Sequence, residues 1–180
     1  KEYKWEYSLV EDKSVNAWCM PGGKIAVFTG ILPVTQSEAG LATVMGHEVA
    51  HALLAHSRSR VDAAIIQSTG AAIIGVASSG KSAATQQAFN LAYGLGSNLG
   101  SLAYSRSHES EADHLGLILM AIAGYNPDNA TSFWQRMAAQ SSGSVPQFLS
   151  THPSSSTRIK DIQKLIPVAK QEAVAYGKSY

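Results

Sequence analysis

The chain has 180 residues, 45% of them apolar, which suits one compact domain with a substantial core. A net charge of +1, with no basic run interleaved with aromatics, excludes a nucleic-acid surface built on a strong field. The one cysteine, Cys19, excludes an intrachain disulfide and reads as a small buried hydrophobe. The first residue is Lys1 rather than Met, so the expectation is a processed or trimmed chain that has lost its leader or anchor.

Residues 1–34 read as a small β-sheet. Residues 1–10 alternate loosely, with Tyr3, Trp5 and Tyr7 on one parity. Residues 15–20 and 24–29 read as two strands joined around Pro21-Gly22-Gly23. A helix follows over 35–60. Thr35-Gln36-Ser37-Glu38 has the spacing of a capping box, and Pro33 suits a chain entering a helix. Leu41, Val44, Met45, Leu53 and Leu54 give that helix its apolar positions. Gly46 costs about 1 kcal/mol in a helix interior, which implies close packing there.

Inside this helix His47-Glu48-Val49-Ala50-His51 reads H-E-x-x-H. Residues i and i+4 stand one above the other, so His47 and His51 can aim two imidazoles at one metal ion. Glu48 projects from nearly the same edge. A zinc ion lowers the pKa of its water to about 7, and a carboxylate beside it can take the proton. These are the parts needed to hydrolyse a peptide bond.

Between residues 61 and 104 the composition shifts to Ala, Gly, Ser and Ile, and a helical hairpin is expected with Ser79-Gly80-Lys81 near its turn. Polar interruptions make this stretch a poor membrane span, although residues 63–80 could touch a membrane surface. The run Gly94-Leu95-Gly96 follows no strand, so it is no dinucleotide loop. Residues 105–124 form a second motif helix, capped by Ser105 or Ser107 and ended by Gly124, Asn126 and Pro127. Its start holds His108, Glu109, Glu111, Asp113 and His114, the densest cluster of metal-capable groups outside the first motif. Glu109 and Asp113 share a face, which suits one ligand and one carboxylate orienting a ligand. Glu111 points elsewhere, into solvent, while His108 and His114 are rival ligands. Residues 125–180 read as C-terminal helices. One spans 128–140, capped by Asp128 and carrying Phe133, Trp134 and Met137. A polar connection spans 141–150. A further helix spans 153–166, with Ile159, Ile162, Leu165 and Ile166 inward, and a tail helix spans 168–176.

H-E-x-x-H followed by a helix reading E-x-x-A-D (Glu109, Ala112, Asp113) resembles the gluzincin family of the CAAX prenyl protease, the heat-shock protease HtpX and the Oma-type proteases. Asn16-Ala17-Trp18, Pro21-Gly22-Gly23 and Val27-Phe28-Thr29-Gly30 are similar to that family's strand pair before the zinc helix. Thr151-His152-Pro153 followed by Arg158-Ile159 resembles its C-terminal segment, so the likeness spans roughly Asn16 to Ile166. The resemblance implies an α+β, mainly helical, zincin-like metallopeptidase domain with a small N-terminal sheet packed on the zinc helix. It implies one Zn2+ per chain, with Glu109 as the third ligand, 58 residues after His51. It also implies a protease of the bacterial cell envelope, on the periplasmic side, acting on misfolded or unassembled envelope proteins.

On this reading zinc is held by His47, His51 and Glu109, Glu48 is the general base and Asp113 orients a ligand. His152, Arg158 and Tyr104 are candidates for a further oxyanion donor. His152 follows a polar loop, so it can instead occupy the open zinc position as a removable plug. Asn16, Ala17 and Trp18 are the candidate edge on which an extended polypeptide adds as a strand. No nucleic-acid partner is expected. The alternatives are a chaperone-like binding module for envelope proteins with latent proteolysis, and a membrane-surface adaptor.

Overall fold

A computed structural model describes residues 3–59, 62, 82–83, 104–140 and 145–180. The N-terminal strands are β1 (Glu6–Val10), β2 (Ala17–Met20) and β3 (Lys24–Phe28), in the spatial order β1-β3-β2. β2 and β3 form an antiparallel hairpin, and β1 runs parallel to β3. The hairpin turn needs its glycines, because Gly22 and Gly23 both lie at positive φ (99° and 97°). β3 is central and buried, whereas β1 is exposed at every residue. The first strand is shorter than the loose alternation over 1–10 suggested. Tyr3 and Trp5 stack on each other ahead of it, and the Tyr3 hydroxyl donates to the Ala52 carbonyl at 2.8 Å. Their parity thus reports packing on a helix rather than a strand.

A short turn leads to α1 (Leu32–Thr35) and then α2 (Glu38–Leu53). Pro33 opens α1, and Gln36 at φ 60° separates the two helices. The cap of α2 is therefore Ser37, whose hydroxyl accepts from the Gly40 amide, and not Thr35, which ends α1. α2 stops at Leu53, about two turns before the expected end, because Ala55 takes φ 62°; residues 56–59 resume a helical turn. Leu53 and Leu54 consequently face solvent instead of the core.

The remaining helices are α3 (Arg106–Ile122), α4 (Asn129–Ala139), α5 (Gln147–Thr151) and α6 (Ser156–Val174). Ser105 caps α3 by accepting from the His108 amide. Asp128 sits before α4 but makes no cap bond, and pairs with Lys170 at 2.7 Å instead. The expected polar connection contains α5, which buries Phe148 completely. The last two expected helices are one. Pro167 lies inside α6 on its exposed face, so the carbonyl it leaves without a donor faces water, while Ile162, Ile166, Ala169 and Ala173 carry the buried stripe past it. α2, α3, α4 and α6 close around Val44, Leu117, Met120, Phe133, Trp134, Met137 and Ile162. The architecture is α+β and mainly helical, with the small sheet laid against α2. The hairpin expected over 61–104 and the membrane-contacting stretch over 63–80 lie outside the described residues, apart from single positions. Among the described residues no helix is long and apolar enough to cross a membrane.

Candidate metal centre

α2 and α3 cross with their backbones in contact. A methyl group on Gly46 would meet the Gly116 carbonyl oxygen at 2.7 Å, and one on Gly116 would meet the His47 amide at 2.9 Å. Only glycine at both positions lets α3 come this near, and that approach carries Glu109 and Asp113 to the two histidines. His47, Glu48, His51, Glu109, Asp113 and His152 are all buried. His47 Nε2 lies 3.0 Å from His51 Nε2, and His51 Nε2 lies 3.1 Å from Glu109 Oε1. His152 Nδ1 lies 3.0 Å from Glu109 Oε1 and 3.1 Å from His47 Nε2. These four residues offer ligand atoms that all fall within 4.8 Å of one another.

The donor set fits one zinc ion. Bonds of about 2.0–2.2 Å in a tetrahedron hold the donors roughly 3.3–3.6 Å apart, close to the separations found here. Two imidazole lone pairs and a carboxylate aimed into one volume repel or leave lone pairs unmatched unless a cation or shared proton lies between them. The donor types, two or three imidazoles with one carboxylate, are those zinc takes.

Each group is held from behind. Asp113 Oδ1 makes an ion-pair contact with His47 Nδ1 at 3.0 Å, out of line for a hydrogen bond but on the side of the ring away from Nε2, which leaves Nε2 for the centre. Arg158 grips Asp113 through two bonds, Nε to Oδ2 at 2.7 Å and Nη2 to Oδ1 at 2.8 Å. Its Nη1 reaches Glu109 Oε2 at 2.5 Å and the Pro153 carbonyl at 2.9 Å, and its guanidinium lies over the Trp134 ring. Burial opposes charge on His47, but Glu109 and Asp113 outweigh it and raise its pKa to about 9. Burial, then the positive His47, drives His51 the other way, down to about 2. Burial raises the Glu109 and Asp113 carboxyls, yet the surrounding cations win and hold both below the usual range. Glu48 moves up, because its burial is the largest influence.

Glu48 faces the sheet. Its Oε2 accepts from the Cys19 amide at 3.0 Å, on the outer edge of β2. Its Oε1 lies 3.2 Å from His152 Nε2, but out of line for a hydrogen bond. Two other outward groups of that edge also have partners within the chain: Ser57 donates to the Cys19 carbonyl, and the Ala17 amide donates to the Asn16 side chain. Cys19 is a buried free thiol pushed up to about 12 by burial and then by Glu48, so it is no nucleophile.

Asn16 and Ala17 are buried and Trp18 is exposed, all at the start of the edge strand that runs beside Glu48. Of the rival ligands, His114 is exposed, and His108 stacks on His56 with ring centres 4.2 Å apart. Neither joins the donor set. Glu111 is exposed but touches His56 at 3.3 Å rather than solvent alone. Arg158 is not the free oxyanion donor the sequence suggested, since Asp113, Glu109 and Pro153 occupy its nitrogens. Tyr104 stacks its ring on His51 at 3.8 Å with its hydroxyl near Ser57, and acts as a wall. Sequence reasoning missed His56, Ser57 and Phe148, the last stacked on His152 at 4.4 Å. Only the position of His56, five residues after His51, could have signalled it.

The model of peptidase family M48 matches residues 1–166. The chain is 38% identical to the mitochondrial metalloendopeptidase OMA1 of Schizosaccharomyces pombe, over 94% of this chain and 49% of that one. It is 36% identical to the Saccharomyces cerevisiae protein of the same name, over 93% and 49%. A putative beta-barrel assembly-enhancing protease of Vibrio cholerae is 33% identical, over 86% and 33%. The chain thus spans about half the length of the first two relatives. The expected bacterial periplasmic location is contradicted by the first relatives, which are mitochondrial metalloendopeptidases of two yeasts, a plant and an animal. The resemblance in the motifs was to a family with members in several compartments, and the motifs themselves carry no address. With a family match over almost its whole length and a buried donor set suited to zinc, the chain belongs to peptidase family M48 and is a zinc metalloendopeptidase domain.

Proposed function

We propose that the domain hydrolyses peptide bonds of misfolded or unassembled polypeptides held in extended form, with Glu48 as general base. The observation that carries this is the convergence of His47, His51 and Glu109 on one point with Glu48 beside it at the edge of β2. Zinc bound there supplies a Lewis acid that polarises a carbonyl and acidifies water. Glu48 accepts the proton of the attacking water and delivers it to the leaving amine, a task helped by a carboxyl raised by burial. Asp113 fixes the His47 ring through Nδ1, and Arg158 fixes Asp113. An extended substrate adds to β2 at Asn16, Ala17 and Trp18, and to do so takes the place of the groups now bonded to that edge. An open cavity of about 380 Å³ between α3 and α6, lined by Tyr104, Pro153, Ile162 and Leu165, gives room for a substrate side chain.

His152 acts as a removable fourth donor, supported by its burial against Glu109 and His47. This same observation favours a second reading, a chaperone-like binding module whose proteolysis stays latent until His152 leaves. Cleavage of unfolded casein by the wild type and Glu48→Gln separates the two. Wild-type cleavage abolished by Glu48→Gln supports the endopeptidase. Tight casein binding with equal, negligible cleavage by both supports the binding module.

A further inference from the structure

Among the described residues, His51 has no carboxylate behind it. Where Asp113 backs His47, the far nitrogen of His51 meets another histidine: His51 Nδ1 lies 3.1 Å from His56 Nδ1. His56 is 4% exposed and belongs to the helical turn that resumes after Ala55. Its other nitrogen, Nε2, lies 3.3 Å from Glu111 Oε2. Glu111 is fixed in turn by the Ser107 hydroxyl, which donates to Oε1 at 2.9 Å, and His108 stacks on the His56 ring. None of His56, Glu111 and His108 belongs to the donor set.

The order of donors along this chain is determined from its outer end. An ionised carboxylate only accepts, so Glu111 takes the N–H at His56 Nε2. His56 Nδ1 then carries a lone pair and can only accept from His51 Nδ1–H. That leaves the His51 lone pair on Nε2, facing Glu109 and His47. The ring that must present a bare nitrogen to a metal is thus held in the required tautomer and orientation.

We propose that His56, set by Glu111 and His108, is the positioning residue for His51, the counterpart of Asp113 behind His47. The inference rests on the reading that His51 is a metal ligand. It takes the contact beyond packing, since the relay fixes which His51 nitrogen carries the lone pair.

The test is zinc affinity by chelator competition, with the absorption spectrum of the cobalt-loaded protein, for the full chain and the variants His56→Ala, His56→Asn and Glu111→Ala. His56→Ala should bind zinc about 10–100-fold more weakly and shift the cobalt bands, the usual loss on removing a group behind a ligating histidine. His56→Asn, whose amide oxygen stands where Nδ1 stood, should recover most of that affinity. Glu111→Ala, at an exposed site, should lose at least about threefold. Affinity within twofold of wild type in His56→Ala, or no recovery in His56→Asn, overturns the proposal. Where His56→Ala does not fold, unchanged affinity in Glu111→Ala overturns it. A wild type that binds no zinc sinks the site reading itself, whereas tight wild-type binding shared by all variants sinks this inference alone.

Discussion

Arg158 is a buried cation whose nitrogens all serve neighbouring groups, and it joins α6 to both acidic residues of α3. Removing it leaves two carboxylates uncompensated in the core. Arg158→Ala should therefore destabilise the chain by about 3–5 kcal/mol, read from urea unfolding; a loss under 1 kcal/mol would rule out this bridging role. Protonation gives a second test. In the metal-free chain His47 is raised from 6.5 to about 9, so its contribution to stability is complete below pH 6.5 and disappears as pH rises through about 9. Asp113 is lowered from 3.8, so its contribution holds above pH 3.8 and is lost as pH falls through its depressed value. The melting temperature of metal-free protein should fall between pH 6.5 and 9.5 and again in acid. A melting temperature that climbs steadily between pH 6.5 and 9.5 contradicts the His47 assignment. Zinc binding displaces the His47 proton, so zinc affinity should rise with pH over the same interval.

At the scale of elements, the centre depends on how closely α2 and α3 approach. Gly46→Ala drives a methyl into the Gly116 carbonyl, backbone against backbone, with no flexible side chain to yield. It should cost about 1–3 kcal/mol and weaken zinc binding as Glu109 moves off; full stability with full zinc affinity would show that the crossing is not tight. This contact was legible in part, because an interior glycine beside His47 had no helical reason to be there. Its partner Gly116, 70 residues away, had no signal of its own. The motif helices were legible because metal geometry fixes residue types at fixed spacing. Helix ends were read less well: Thr35 and Ser37 are both plausible caps, and only the turn at Gln36 decides between them. Pro167 resembles a helix break, but exposure of its face lets α6 pass through.

For the whole molecule, Glu109, Asp113 and His152 come from elements brought to His47 and His51 only by tertiary packing. Spacing singled out Glu109 and Asp113 as a pair, and only the resemblance chose Glu109 as the ligand and drew attention to His152. The role of Arg158 could not be read in either way, because its partners lie 45 and 49 residues away in the chain. Location was misread for a related reason, since the motifs describe chemistry rather than address. The buried position of His152 predicts that His152→Ala binds zinc less tightly yet cleaves casein faster at saturating zinc. Slower cleavage would instead assign His152 to the oxyanion. The most direct test of the centre is metal content. After exhaustive dialysis, wild-type protein should retain about one zinc per chain and Glu109→Gln far less, since a catalytic site takes three protein ligands. A wild type without zinc, or a Glu109→Gln variant that keeps its full complement, contradicts the assignment of His47, His51 and Glu109 as one metal centre.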